Sequence, residues 1–159
     1  IITAKTAELF SAATKVGAIL SNKETKEKEA LEFYGKNLGL TFQIADDTLD
    51  YNSDLKFFGK KTGKDFFEGK ITLPVILLFQ KITCIERERL KKIFKNDVRS
   101  KEDLNFTLIL IKKYNIIKEC YKKAEHFINL ASNSLTVFDN TEERKVLENL
   151  TSFSLERNF

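Results

Sequence analysis

The chain has 159 residues, a formal net charge of +4 and 42% apolar residues, among them 14 Phe. This length suffices for one domain with a sizeable core, and few Gly and Pro with long 3.6-residue apolar periods predict an all-α protein. The positive charge is spread as Lys over predicted helix faces, which indicates solubility rather than nucleic-acid binding. No apolar run is long enough to suggest a membrane span, and two isolated cysteines without a secretory signal pattern make a cytoplasmic protein the expectation.

The first predicted helix covers residues 2–20 and carries an apolar stripe made of Leu9, Ala13, Val16 and Leu20. Its pattern runs into residue 1 without a preceding cap, and the chain contains no Met. We therefore expect this sequence to be a piece of a longer protein, or one half of a split one.

The second predicted helix is long. A Ser-x-x-Glu capping box at Ser21 to Glu24 predicts its start, and the apolar period continues to Asp50 or just past it. A helix of this length is typical of the centre of a bundle. Gly35 and Gly39 lie inside it, and each costs roughly 0.5–1 kcal/mol relative to Ala. The close approach of a substrate or a partner helix would explain both; the alternative is that they are merely tolerated.

The end of this helix is acidic. At about 100° per residue, one arc contains Gln43 and the three acids Asp46, Asp47 and Asp50, together with Gly35 and Gly39. An apolar arc lies to one side of it, made of Leu38, Phe42, Ala45 and Leu49. We expect the apolar arc to pack into a core while the other arc presents the acids. Oxygen ligands without a nearby Cys or His suit a hard ion such as Mg²⁺ or Ca²⁺ rather than zinc. Mg²⁺ commonly takes one or two carboxylates and completes its shell with water and substrate phosphate. The alternative is a solvated acidic face at a helix end.

The next segment is rich in Gly and Lys, with five lysines against two acids between Lys56 and Lys70. Glycine lets the backbone approach a ligand closely, and lysine supplies point charges for phosphate. Residues 52–71 lack periodicity and predict a loop over the mouth of a bundle. Thr72, Leu73 and Pro74 then predict the start of a short, apolar and buried helix that ends at Ile82.

Four further helices are predicted in the remaining chain. They cover Glu86–Lys95, the run from a cap at Ser100 to Tyr114, Ile117–Leu135 and Thr141–Phe153, and Asn115 separates the second from the third. His126, the only histidine, is interpreted as a helix-surface or packing residue rather than a catalytic group.

Two adjacent patterns together resemble the second aspartate-rich region of the trans-polyprenyl diphosphate synthases. They are Gly39-x-x-Phe42-Gln43-x-x-Asp46-Asp47-x-x-Asp50 and Gly59-Lys60-x-x-Gly63-x-Asp65-x-x-x-Gly69-Lys70-x-Thr72-Leu73-Pro74. The segment Glu68–Pro74 is more similar to longer-chain members, such as octaprenyl and decaprenyl diphosphate synthases. The resemblance covers nearly the whole chain but only the C-terminal half of a synthase. It therefore implies that residues 1–159 are the C-terminal part of one polyprenyl synthase domain, a partial helical bundle.

The resemblance implies a prenyltransferase of isoprenoid biosynthesis that elongates an allylic prenyl diphosphate with isopentenyl diphosphate. In such enzymes Mg²⁺ binds the allylic diphosphate, ionisation gives an allylic cation, isopentenyl diphosphate attacks it, and a proton is lost. By this likeness Asp46 is the main Mg²⁺ ligand, and Asp47 and Asp50 support it through water or metal.

The same resemblance implies the substrate-binding residues. Lys5 and Lys60 are expected to hold the allylic diphosphate, with Thr6 beside Lys5. Phe42 and Gln43 are expected to line the isopentenyl side. The complete enzyme is expected to be a homodimer that includes the missing N-terminal half.

The first aspartate-rich motif of the family, with its following Arg-Arg, does not occur in this sequence. The chain alone is therefore expected to hold half a metal site and to make no prenyl product, and no product length follows from it. Two alternatives remain: a non-catalytic subunit of a heteromeric prenyl diphosphate synthase, and a basic helical nucleic-acid-binding module. The acidic helix end argues against the second.

Overall fold

The computed structural model describes residues 6–52 and 63–156, with the backbone alone at Leu155 and Glu156. Within these ranges the chain forms helices and no strand, which confirms the predicted all-α class. The helices are α1 (Glu8–Leu20), α2 (Thr25–Leu49), α3 (Lys64–Phe67), α4 (Leu73–Lys81), α5 (Cys84–Lys95), α6 (Lys101–Lys113), α7 (Ile116–Ser134) and α8 (Glu142–Glu156), and a 3₁₀ turn at Leu135–Val137 follows α7.

Two compact units make up the chain. One contains Ile1–Ala45 together with Lys122–Phe159, and the other contains Asp46–Tyr121. Helices α2 and α7 each begin in one unit and end in the other. In the described part of the chain, every helix is too short or too polar to cross a bilayer.

The starts of α4, α5 and α6 are set by residues at their first turns. Thr72 is the N-cap of α4 and Pro74 lies in its first turn, as predicted. A capping box between Ser100 and Asp103 opens α6, where the cap was predicted. An equivalent box between Thr83 and Glu86 opens α5, so this helix starts at Cys84 rather than at the predicted Glu86.

The predicted capping box at Ser21 is wrong. Ser21 is the C-cap of α1, and its backbone N–H donates to the carbonyl of Gly17 at 3.1 Å. Asn22 follows with a φ of 50°, a left-handed conformation that Asn tolerates and that ends helices. Helix α2 therefore begins at Thr25, where the Glu27 carboxylate accepts the N–H of Glu24 at 3.0 Å.

In the first unit α1 and α2 run antiparallel in close contact through two glycines. A Cβ at Gly39 would lie 2.7 Å from Cα of Ala7, and one at Gly35 would overlap Thr14 and the Phe10 carbonyl. The predicted close approach of a partner helix is thus confirmed. The core beside this contact consists of Tyr34, Leu38, Ala131 and Leu135, with Phe10, Leu31, Phe138 and Leu147 packed against it.

The apolar stripe predicted for α1 does not face this core. Leu9 is 70% exposed and Leu20 is 78% exposed, whereas Ala7, Ser11 and Ala18 are buried. The physical reason is that α1 has two apolar faces. The face with small residues packs on the glycines of α2, because only small side chains allow that distance.

The second unit has its own core, formed by side chains from α3 to the start of α7. Its fully buried members include Phe66, Val75, Leu78, Leu90, Ile111 and Ile116. The Phe66 and Phe94 rings meet edge to face with centroids 5.5 Å apart. The short helix α3 lies within the predicted loop of residues 52–71, and residues 53–62 of that loop lie outside the described residues. Asn115, with a φ of 52°, separates α6 from α7 as predicted.

Candidate functional site

The three aspartates at the end of α2 have different environments. Asp46 is exposed, Asp50 is half-buried and Asp47 is only 3% exposed. The expectation of one exposed acidic arc is therefore wrong for Asp47. This helix is buried along Thr41, Ile44 and Thr48, and Asp47 lies about 100° around the axis from Asp46, toward that buried side.

Asp47 lies among buried groups of the second unit. Burial, with a smaller contribution from the Asp47 charge, raises the pKa of the Cys120 thiol to about 11. The Tyr51 hydroxyl is affected in the same way: burial raises its pKa, and Asp50, Asp65 and Asp47 raise it further. Both groups therefore stay protonated near neutral pH beside a buried carboxylate.

Asp50 joins the end of α2 to the start of α3. Its Oδ1 accepts the N–H of Lys64 at 2.9 Å, and its Oδ2 accepts the N–H of Asp65 at 2.8 Å. Its backbone carbonyl accepts the N–H of Gly63 at 2.9 Å. Burial raises the pKa of this carboxyl, and the three backbone N–H groups oppose that rise. Asp50 thus satisfies the first amides of α3, as an N-cap residue does.

The lysines of the Gly- and Lys-rich segment pair with acids where the structure describes them. Lys70 Nζ lies 3.0 Å from Oδ1 of Asp65 and 2.7 Å from Oε2 of Glu68. Lys64 Nζ lies 4.0 Å from the Glu68 carboxylate. Gly69, with a φ of 72°, forms the turn between these groups. The predicted phosphate-binding residue Lys60 lies outside the described residues.

Two of the predicted substrate-binding residues are in direct contact. The Thr6 hydroxyl donates to Oε1 of Gln43 at 2.6 Å. Phe42 is half-buried, and its ring centroid lies 5.8 Å from that of Phe10. Lys5 lies outside the described residues. The hydrogen bond fixes the orientation of the Gln43 amide, whose role in substrate binding stays a prediction.

The kind of ligand at the end of α2 fits a hard divalent cation, because every candidate donor is a carboxylate oxygen. Each oxygen of Asp50 accepts one N–H and keeps a second lone pair, so this carboxylate can still bind a cation. Among the residues that the structure describes, no group of three or more His, Cys, Asp or Glu side chains is placed to hold a metal. The described residues therefore fit a cation site in which this chain supplies one or two carboxylates.

Tyr51 was missed by sequence reasoning. Its ring is 1% exposed, directly after Asp50, and burial raises the pKa of its hydroxyl. A large aromatic residue next to an acidic helix end was the available signal. His126, in contrast, is exposed with its ring 5.5 Å from Phe127, which agrees with the predicted surface role.

Comparison with known proteins identifies the class to which this helical fold and acidic helix end belong. Residues 1–111 match the Polyprenyl synthetase family. The short chain isoprenyl diphosphate synthase of Methanothermobacter thermautotrophicus is 35% identical over 153 residues, which cover 96% of this chain and 46% of that protein. The chain therefore belongs to the polyprenyl synthetase family.

Solved structures agree with this assignment. The crystal structure of a decaprenyl diphosphate synthase from Rhodobacter capsulatus superimposes with a TM-score of 0.91 at 34% identity, covering 99% of this chain and 49% of that one. A polyprenyl synthase from Caulobacter crescentus, complexed with calcium and isoprenyl diphosphate, gives 0.90 at 35% identity, covering 99% and 48%. The chain spans about half the length of these relatives. They include a short-chain and a decaprenyl enzyme, so family membership does not specify the length of the prenyl product.

Proposed function

We propose that this chain is part of a cytoplasmic trans-prenyltransferase that elongates an allylic prenyl diphosphate with isopentenyl diphosphate. The observation that carries the proposal is the family match over residues 1–111, which includes the acidic end of α2. The calcium and isoprenyl diphosphate in the related C. crescentus structure support a metal–diphosphate site in this fold. Because the chain spans about half of its relatives, we propose that residues 1–159 are the C-terminal part of one synthase domain, homodimeric when complete.

The proposed cation is Mg²⁺, with Asp46 as its principal ligand because this is the exposed acid at the end of α2. Asp50 positions the start of α3 and offers its remaining lone pairs directly or through water. Asp47 contributes its buried negative charge. When bound, the cation would neutralise the charge that builds on the departing diphosphate.

The proposed substrate contacts follow the family likeness. Lys5 and Lys60 are assigned to the allylic diphosphate, because an ammonium group is a point charge that suits phosphate oxygens. Phe42 and Gln43 are assigned to the isopentenyl side, and Thr6 is assigned to substrate binding beside Lys5. The Thr6–Gln43 hydrogen bond supports this assignment, since it holds the amide in one orientation.

The test uses a single-chain fusion of this protein with the half of the R. capsulatus synthase that it does not match. We expect the fusion to convert an allylic diphosphate and radiolabelled isopentenyl diphosphate to a longer prenyl product, and the chain alone to make none. Asp46→Ala in the fusion should lower kcat/KM at least about 100-fold, equal to about 2.7 kcal/mol. Turnover by the chain alone would contradict the proposal. Full activity of the Asp46→Ala fusion would instead support the non-catalytic subunit.

A further inference from the structure

Two hydroxyl groups are buried beside the acidic end of α2, those of Tyr51 and Thr72. Tyr51 is 1% exposed, and neither its Oη nor Thr72 Oγ1 has a hydrogen-bond partner among the residues that the structure describes. A buried hydroxyl without a partner destabilises a fold, so such groups are rare and need a physical explanation. Here two of them lie next to the proposed cation ligands.

The position of Thr72 adds a second unusual feature. Thr72 is the N-cap of α4, where a threonine hydroxyl normally accepts an N–H of the first turn, yet its side chain makes no capping hydrogen bond. The N-cap of α5, Thr83, does make that bond, with its hydroxyl accepting the N–H of Glu86 at 3.4 Å. In α4 the second helical residue is Pro74, which has no N–H to donate. The Thr72 hydroxyl is therefore available for another contact.

The Tyr51 hydroxyl lies among polar groups that could bind it. Burial raises its pKa, and the negative charges of Asp50, Asp65 and Asp47 raise it further. The Thr72 hydroxyl opposes that rise, so it lies nearby. The Asp50 carboxylate keeps unused lone pairs after accepting two amides of α3. A donor and an acceptor for Tyr51 are thus close to it, although no described group meets its hydroxyl with hydrogen-bond geometry.

The buried nitrogen atoms without an acceptor have a simpler explanation. They are the Nε atoms of Arg87 and Arg99. Each guanidinium group already donates from another nitrogen to a carbonyl, that of Phe79 at 2.9 Å and that of Phe94 at 3.0 Å. These arginines therefore hold the ends of helices in place and indicate no ligand.

We propose that Tyr51 is a positioning residue of the metal–diphosphate site. When the cation and the diphosphate bind, its hydroxyl accepts a hydrogen bond from Thr72 and donates one to the Asp50 carboxylate, which joins the end of α2 to the start of α4. Hydrogen bonds at catalytic sites are often long or misaligned without ligand and tighten when it binds. Their free energy then appears in ligand affinity rather than in the stability of the chain. The inference rests on the proposed function, because it concerns the same site.

The test compares two buried tyrosines of the chain. Tyr51→Phe removes an unpaired hydroxyl, so it should leave the urea midpoint of unfolding unchanged or raise it. In calorimetry it should weaken the binding of Mg²⁺ with inorganic pyrophosphate about tenfold, because bonds made only with the ligand are lost. Tyr34→Phe is the matched control: Tyr34 is also 1% exposed, but its hydroxyl donates to the Leu147 carbonyl at 2.7 Å. This control should lower the urea midpoint and leave the dissociation constant unchanged.

The Thr72 hydroxyl is tested by its own pair of variants. Thr72→Val keeps the shape of the side chain and should also weaken binding about tenfold, whereas Thr72→Ser keeps the hydroxyl and should bind like the parent. Combining Thr72→Val with Tyr51→Phe should weaken binding no further, because the two hydroxyls act together. A chain labelled with fluorotyrosine provides a spectroscopic readout. The fluorine NMR signal of Tyr51, assigned by its loss in Tyr51→Phe, should shift when both ligands are added, and that of Tyr34 should not.

The possible failures of the inference and of the proposed function are distinguishable. If Tyr51→Phe binds the ligands as tightly as the parent, or if the Tyr51 signal stays in place, the inference is overturned and the proposed function is unaffected. Loss of stability in Tyr51→Phe equal to that in Tyr34→Phe would also overturn the inference, since the role of the hydroxyl would then be structural. If the parent chain binds no Mg²⁺ and pyrophosphate, the proposed site is wrong and the inference is wrong with it.

Discussion

Asp46, Asp47 and Asp50 lie within five residues, but their side chains have different surroundings. Asp46 is exposed to solvent, the buried Asp47 lies among Cys120 and Tyr51, and Asp50 accepts hydrogen bonds from two amides of α3. Substitutions at these positions should therefore fail in different ways. Loss at Asp46 should affect ligand binding, whereas loss at Asp50 should affect the local structure.

The first prediction separates these two effects. Asp50→Asn keeps the shape of the side chain but has one acceptor oxygen for two amides, so at least one hydrogen bond is lost. By analogy with N-cap losses, we expect the free energy of unfolding to fall by about 0.5–2 kcal/mol. The amides of Lys64 and Asp65 should exchange with solvent faster in NMR. The control, Asp46→Asn, should change stability by less than about 0.5 kcal/mol. Unchanged amide protection in Asp50→Asn would contradict a capping role.

At the scale of elements, the α1–α2 contact depends on the absence of a single carbon atom. Gly39→Ala would gain about 0.5–1 kcal/mol of helix propensity. The new Cβ, however, would lie 2.7 Å from Cα of Ala7, which is backbone and cannot rotate away. Since overpacking costs about 1–3 kcal/mol, we expect a net destabilisation of about 1–2 kcal/mol in urea unfolding.

Gly17 provides the matched control for this change. It lies within the same helix pair, and a Cβ there would meet nothing within 4 Å. Gly17→Ala should therefore stabilise the chain by about 0.5–1 kcal/mol through helix propensity alone. If both substitutions stabilise the chain equally, the close contact of α1 with α2 is not as the structure describes it.

A second prediction at this scale concerns the link between the start of α5 and the end of α6. Glu86 accepts hydrogen bonds from Lys113 Nζ at 2.7 Å and from the Tyr114 hydroxyl at 2.6 Å, besides its capping bonds with Thr83. These bonds, led by that of Lys113, lower the pKa of Glu86 to about 2 from its ordinary 4.5. Because the folded-state pKa is the lower one, the stabilisation is complete above pH 4.5 and is lost as the pH falls toward 2.

The measurement is the thermal midpoint as a function of pH. Between pH 4.5 and 2 the parent should lose stability more steeply than Glu86→Gln, which has no proton to take up there. Lys113→Ala and Tyr114→Phe each remove one donor and should give intermediate slopes. Identical pH profiles for the parent and Glu86→Gln would count against the link.

Local chemistry determined how much of this architecture could be predicted. The caps at Thr72 and Ser100 and the break at Asn115 act within a few residues, and the sequence pattern located them correctly. The capping box predicted at Ser21 was wrong because Ser21 is the C-cap of α1, where its backbone N–H bonds the last turn of that helix. The predictions for the buried face of α1 and for the exposure of Asp47 were wrong for another reason. Both depend on which of two possible faces a distant helix covers, and helical periodicity does not contain that information.

For the whole molecule, the strongest functional prediction concerns ligand-linked stability. With Mg²⁺ and inorganic pyrophosphate together at ten times their Kd, mass action should stabilise the chain by about 1.4 kcal/mol. Mg²⁺ alone and pyrophosphate alone should give smaller effects, and Asp46→Asn should abolish the joint effect. Differential scanning fluorimetry checks this without requiring turnover. An undiminished shift in Asp46→Asn would place the ligand elsewhere.

The division of the chain into two units predicts the order in which they fold during synthesis on the ribosome. Asp46–Tyr121 is a continuous stretch and can be completed as soon as it emerges, whereas the other unit needs both ends of the chain. The Tyr34 hydroxyl, for example, donates to the carbonyl of Leu147 at 2.7 Å, across 113 residues of sequence. Contacts over such separations form late. During synthesis, α1 and the first part of α2 must therefore wait for α7 and α8. Nascent chains stalled before residue 122 should hold the Asp46–Tyr121 unit folded and leave the other unit open to proteases.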